Sequence, residues 1–113
     1  MKSIWLVIPC YNEEEIISKT AEHTKELMYA LISAGKISKA SRILFVNDGS
    51  TDRTYEIIKE LCRKDKIFAC VNLSRNRGHQ NALLAGLMTA KNYADATISM
   101  DADLQDDINV IKD

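Results

Sequence analysis

The chain has 113 residues, 46% hydrophobic and 27% charged, with one proline and a formal net charge of -1; these are the proportions of a single folded domain and exclude disorder or low complexity. Lys and Arg are interspersed with Asp and Glu along the whole length, which argues against a basic face for nucleic acid. Cys10, Cys62 and Cys70 lack close pairing, so neither a disulfide framework nor a zinc site is expected, and no apolar run approaches the roughly 18 residues of a membrane span. With no signal-peptide layout at the N-terminus, the expectation is a soluble, cytoplasmic chain.

Residues 3–9, Ser-Ile-Trp-Leu-Val-Ile-Pro, are almost continuously apolar and predict a strand buried on both faces, hence a parallel sheet, ended by Pro9. Asn12, with Glu15 three residues on, is a capping-box-like pair. It is expected to open a helix whose buried stripe is Ile16, Ile17, Leu27, Met28, Leu31 and Ile32 and whose stop is Gly35. Glu14 and Glu15 would complement the positive end of that helix. Residues 42–47 repeat the buried-strand pattern, and Asp48-Gly49-Ser50-Thr51-Asp52 forms a tight turn into a helix through Tyr55, Ile58 and Leu61, with Asp52 as a turn or capping residue. A third strand at 67–72, a polar loop at 74–78 and a helix through Leu83, Leu84, Leu87 and Met88 follow. A fourth strand occupies 96–100. Strands alternating with helices predict right-handed crossovers and a sheet covered on both faces. The polar clusters at 11–14, 47–52, 74–79 and 101–107 all follow strands, the edge at which open α/β sheets bind ligands.

The last of these clusters, Asp101-Ala102-Asp103-Leu104-Gln105-Asp106-Asp107, alternates oxygen-bearing and apolar side chains. Along an extended segment Asp101, Asp103 and Gln105 fall on one face while Ala102 and Leu104 turn inward. Such a set suits Mg²⁺ or Mn²⁺, which complete their shells with water and substrate phosphate oxygens. Neither GxGxxG nor GxxxxGK[ST] occurs, so a dinucleotide-binding dehydrogenase and a P-loop nucleotidase are disfavoured. A carboxylate-held cation remains as the means of offsetting diphosphate charge. Cys10 adjoins this edge but is expected to be a small apolar filler.

Four segments together carry a family resemblance: Val7-Ile8-Pro9-Cys10-Tyr11-Asn12-Glu13-Glu14, Val46-Asn47-Asp48-Gly49-Ser50-Thr51-Asp52, Asn76-Arg77-Gly78-His79 and Asp101-Ala102-Asp103-Leu104-Gln105. In this order they resemble the inverting GT-A glycosyltransferases of family 2. The Asp-Ala-Asp-Leu-Gln form, with residues 74–82, is most similar to the polyprenyl-phosphate branch, the dolichol-phosphate mannosyltransferase type and its undecaprenyl-phosphate relatives.

The resemblance implies an α/β three-layer sandwich of GT-A type with a mostly parallel sheet, in which 1–113 is the nucleotide-sugar-binding portion, incomplete at its C-terminus. It implies a metal-dependent hexosyltransferase that moves a sugar, with inversion, from a UDP- or GDP-sugar donor to a polyprenyl phosphate or a glycan acceptor. Pro9, Tyr11 and Glu13 match the loop lining the base and ribose, and Asp48 matches the carboxylate that accepts from the base. Arg77 and His79 lie where the family has a basic residue beside the nucleotide. Asp101, Ala102 and Asp103 match the metal-diphosphate motif, and Gln105 matches a further metal contact. Physically, Tyr11 offers a stacking face and Asp48 a charge-assisted acceptor.

No acceptor-side base is identified, Asp106 and Asp107 being weak candidates; a lipid phosphate, already anionic, needs little base assistance. By the same resemblance the full-length protein would sit at the cytoplasmic face of a membrane, and the fragment alone would bind donor without transferring sugar. Two other readings compete. A sugar-phosphate nucleotidyltransferase would carry a glycine-rich basic loop in place of Pro9-Cys10-Tyr11-Asn12. A phospho-accepting signalling module would need a strand-terminal Lys opposite Asp48, and none is present.

Overall fold

Strand and helix alternate through residues 1–102, the part of the chain that the computed structural model describes. In chain order the elements are β1 (Ile4–Cys10), α1 (Ile17–Ser33), β2 (Arg42–Asp48), α2 (Thr54–Lys64), β3 (Phe68–Leu73), α3 (His79–Ala90) and β4 (Ala96–Ser99). Every predicted element is present, with strand ends within a residue or so of expectation and the start of α1 further along the chain. Asp103, Leu104, Gln105, Asp106 and Asp107 lie outside the described residues.

The four strands are parallel and ordered β3-β2-β1-β4. Alternation along the two central strands divides the core into two layers. Leu6, Ile8 and Cys10 of β1, with Ile43 and Phe45 of β2, meet Ile17, Ala21 and Met28 of α1 and Ile58 of α2. Trp5, Val7, Leu44 and Val46 face the other way, onto Ala82 and Ala90 of α3. Because both faces are covered, β1 and β2 are apolar at nearly every position, as a buried parallel strand requires. Each fully buried Ile, Leu, Val or Phe side chain contributes about 1.5 to 3 kcal/mol of transfer free energy to this arrangement. The result is the expected α/β sandwich, three layers deep.

The start of α1 corrects the capping-box expectation. Ile16, not Asn12, occupies the N-cap position and supplies no side-chain cap. Asn12 stands four residues earlier with φ of 53°, and its carboxamide is engaged with Thr51 of the next loop. A turn intervenes, in which the Glu13 carbonyl accepts from the amides of Ile16 and Ile17 at 3.0 and 2.9 Å. The buried stripe is also more polar than expected: Thr20 and Thr24 join Ile17, Leu27, Met28 and Leu31, whereas Ile16 and Ile32 are half-buried. Gly35 ends the helix as anticipated. Its amide donates to the Ile32 carbonyl and that of Lys36 to Leu31, both at 3.0 Å, the paired bonds of a Schellman ending.

Against the sheet, α3 presents Ala82, Gly86 and Ala90, with Leu83 and Leu87 partly buried against the same layer, while Leu84 and Met88 are each 54% exposed. A Cβ on Gly86 would lie 2.5 Å from Val7 Cγ1 and 2.7 Å from Val46 Cγ2. The helix therefore rests directly on β1 and β2 at a distance only glycine permits. The three cysteines are free thiols; burial, with Cys70 close by, pushes the Cys62 thiol up to about 12. No helix among the described residues is long and apolar enough to cross a membrane.

Candidate functional site

The chain order of the strands reverses between the neighbouring β1 and β4, and a ligand crevice is expected at that switch point. A cleft of about 410 Å³ opens at this edge. Pro9, Tyr11 and Glu13, at and beyond the end of β1, form one wall, and Asp48, the last residue of β2, lies beside them. His79 at the start of α3, and Asp101 and Ala102 just past β4, complete the opposite side. A larger cleft, about 510 Å³, lies at the amino ends of β2 and β3 between Tyr29, Arg42 and Lys66. Size alone would favour it, but it lies at the edge away from the loops that follow the strands.

Two hydrogen-bonded ties hold the walls of the carboxyl-edge cleft together. Asp48 is 2% exposed and its Oδ1 accepts from the Arg77 amide at 2.7 Å. The β2–α2 turn is thereby joined to the loop before α3. Gly49 lets those backbones touch: it has φ of +69°, and a Cβ there would lie 2.3 Å from the Arg75 carbonyl carbon and the Asn76 nitrogen. Across the other boundary, Asn12 and Glu13 bond to residues of the β2–α2 turn.

Tyr11 lines the cleft and is 43% exposed. His79 Nε2 lies 3.8 Å from Asp101 Oδ1, so the end of β4 and the start of α3 meet at one point. Ala102 turns inward as expected: it is 3% exposed, joins the α1-side core, and its carbonyl accepts from the Thr20 hydroxyl. That bond gives the buried Thr20 a partner and anchors the segment that bears Asp101.

Seven of the residues singled out from sequence therefore line a single cleft. Arg77 stands at its rim through its backbone, with an exposed side chain. Asp103 and Gln105 lie outside the described residues, and among the described residues no three His, Cys, Asp or Glu side chains converge on one point. Asp101 nevertheless offers the hard oxygen donor that a divalent cation favours. Cys10, Asn76 and Ala82 also line the cleft without having been assigned a binding role. Asn76 could have been found from its place in the polar loop after β3, whereas nothing in the identity of Ala82 marks it. Burial, reinforced by the charge of Glu13, pushes the Cys10 thiol far above its ordinary range, so it remains protonated and serves as filler.

Comparison with known proteins shows the family of the chain. The family model described as Glycosyl transferase family 2 matches residues 5–113. A Bacillus subtilis protein named uncharacterized glycosyltransferase YkoT is 49% identical over 108 residues, which cover 96% of this chain and 32% of that protein. The undecaprenyl-phosphate 4-deoxy-4-formamido-L-arabinose transferase of Pectobacterium atrosepticum is 39% identical over 106 residues, 93% of this chain and 30% of that protein. Among solved structures, the mannosyltransferase PcManGT from Pyrobaculum calidifontis, in complex with GDP-Man and Mn²⁺, aligns with a TM-score of 0.73 at 22% identity over 90% of this chain and 28% of that one. The likeness is one of fold, of GT-A type. The chain spans about a third of the length of the curated relatives it matches.

Proposed function

The chain belongs to glycosyl transferase family 2, and on that premise we propose that residues 1–113 form the donor-binding portion of an enzyme that moves a sugar from a nucleoside-diphosphate donor to a polyprenyl phosphate, inverting the anomeric centre. One observation carries the reading: Tyr11, Glu13, Asp48, His79 and Asp101, drawn from four separate strand ends, line one cleft of nucleotide size at the switch point of a parallel sheet. The similarity to an undecaprenyl-phosphate sugar transferase supports the lipid-phosphate acceptor, and in this reading the enzyme works at the cytoplasmic face of a membrane.

In this reading Tyr11 stacks on the base and Asp48 accepts a ring N–H, its burial strengthening a charge-assisted bond. Pro9 and Glu13 line the base and ribose, Ala102 lies against the sugar-diphosphate, and His79 and Arg77 lie beside the phosphates. Asp101, with Asp103 and Gln105, would hold Mg²⁺ or Mn²⁺, an assignment supported by Mn²⁺ in the structurally similar mannosyltransferase. Bound there, the cation supplies charge neutralisation for the departing nucleoside diphosphate. The chain's own part is to hold the donor so that the anomeric carbon faces an acceptor approaching from the opposite side. A phosphate acceptor arrives already anionic, so the chain need not supply a strong base.

Calorimetric titration with UDP- and GDP-sugars, with and without Mn²⁺, tests the reading. One nucleotide should bind in a metal-dependent manner, and Asp101→Ala and Asp103→Ala should each abolish that dependence with the fold intact by circular dichroism. Unchanged affinity in both variants would remove the metal assignment, and no binding of either nucleotide by the parent would remove the donor assignment.

A further inference from the structure

Three polar residues that lie outside the cleft lining join the loop after β1 to the turn after β2. Asn12, held in the left-handed region, accepts on Oδ1 from the Thr51 amide at 2.8 Å and from the Thr51 hydroxyl at 3.3 Å. Its own amide donates to Ser50 Oγ at 3.0 Å. Asparagine tolerates that backbone conformation better than almost any residue except glycine. The second tie is a relay. The Glu13 amide donates to Thr54 Oγ1 at 2.8 Å, and that hydroxyl donates to Asp52 Oδ1 at 2.6 Å. Asp52 also accepts from the Thr54 amide on Oδ1 at 2.9 Å and from the Glu14 amide on Oδ2 at 3.3 Å.

A hydroxyl carries one proton. With that proton committed to the Asp52 carboxylate, Thr54 Oγ1 presents only lone pairs to Glu13, so the carboxylate sets the direction of the whole relay. Thr54 is fully buried, which favours keeping every one of these bonds made. Tyr11 directly precedes the first tie and Glu13 takes part in the second, and directly before Ser50 and Thr51 come Asp48 and Gly49. The segment bearing one wall of the cleft is thus clasped to the turn bearing its buried carboxylate.

We propose that Asn12, Asp52 and Thr54 are positioning residues for the nucleotide: together they pre-order the Tyr11–Glu13 segment against Asp48, so that binding need not order it. This rests on the nucleotide reading of the cleft, and it adds residues that touch no ligand themselves. Pre-ordering acts on affinity by removing an ordering cost that would otherwise be met at binding.

The test compares Thr54→Val, Thr54→Ser and Asn12→Gly with the parent protein, using UDP and GDP with Mn²⁺ as calorimetric probes and amide exchange by NMR as a ligand-free readout. Thr54→Val and Asn12→Gly should each weaken nucleotide binding about tenfold, and Thr54→Ser, which keeps the hydroxyl, should return it to within about twofold of the parent. In Asn12→Gly, which leaves Thr54 and Asp52 in place, the Glu13 and Glu14 amides should exchange faster while those of β1 and β2 do not. Folded Thr54→Val and Asn12→Gly proteins that bind as the parent does would overturn the proposal. If the parent binds neither nucleotide, it is the donor reading that fails; unchanged exchange at Glu13 and Glu14 in Asn12→Gly would then overturn the clasp independently.

Discussion

At the scale of single residues, a carboxylate's surroundings decide its work. Asp48 is buried with one oxygen on the Arg77 amide. Asp48→Asn keeps an acceptor for that amide but loses the charge, so it should leave thermal stability nearly unchanged while weakening nucleotide binding about tenfold or more, a charge-assisted bond being worth about 1.5 to 3 kcal/mol. Asp52 has a different role. Burial works to raise its pKa, but the Thr54 hydroxyl and the amides of Thr54 and Glu14 outweigh it and hold the carboxyl below its ordinary 3.8. A depressed folded-state value means that the unfolded chain binds protons first as pH falls, so the stabilisation is full above the ordinary value and is lost as pH drops through the folded one. The excess stability of the parent over Asp52→Asn, measured by urea denaturation, should therefore hold at neutral pH and shrink steadily below about pH 4. An excess independent of pH would show that the carboxylate charge contributes nothing. Tyr11, Glu13, Asp48 and Asp101 could be singled out in the sequence because polar residues after apolar strands are conspicuous; the hydrogen-bond partners of Asp48 and Glu13 could not, since those lie 29 and 41 positions away.

At the scale of elements, periodicity located the four strands and three helices of the described residues, but which face of α3 is buried was decided by contact distance. Its inner line is Ala82, Gly86 and Ala90, and the larger Leu84 and Met88 are turned outward because Val7 and Val46 leave no room for them. Gly86→Ala raises intrinsic helix propensity by about 1 kcal/mol, yet its methyl would enter Val7 and Val46. Overpacking costs about 1 to 3 kcal/mol, so a net loss of stability, with α3 displaced, is the expected outcome in denaturant titration. A stabilised Gly86→Ala protein would contradict the close approach. Leu84→Gln, on the outward face, should change stability by no more than about 0.5 kcal/mol. The start of α1 follows the same logic: Asn12 carries every chemical qualification for a cap, but its carboxamide is taken up by Thr51 across a loop boundary.

At the scale of the molecule, the order β3-β2-β1-β4 brings the ends of β1 and β4 side by side although 86 positions separate Cys10 from the start of β4 at Ala96. That placement puts Asp101 opposite Asp48 and Tyr11. Addition of UDP or GDP with Mn²⁺ should accordingly slow amide exchange or shift NMR signals at residues 11–14, 48–49 and 76–79. It should leave the basic cleft around Tyr29, Arg42 and Lys66 unaffected. Perturbation confined to that opposite edge would refute the assignment of the site.

Residue order alone determined the alternation of strand and helix, the parallel character of the sheet and the polar tip on each strand, because these depend on local periodicity and on how apolar a segment is. The strand order, the close seat of α3 on Val7 and Val46, and the clasp from Asn12 and Glu13 to Thr51 and Thr54 came only with the tertiary structure. Each depends on distances between segments remote in sequence, where steric exclusion and the satisfaction of buried polar groups choose among arrangements that local pattern leaves equally available.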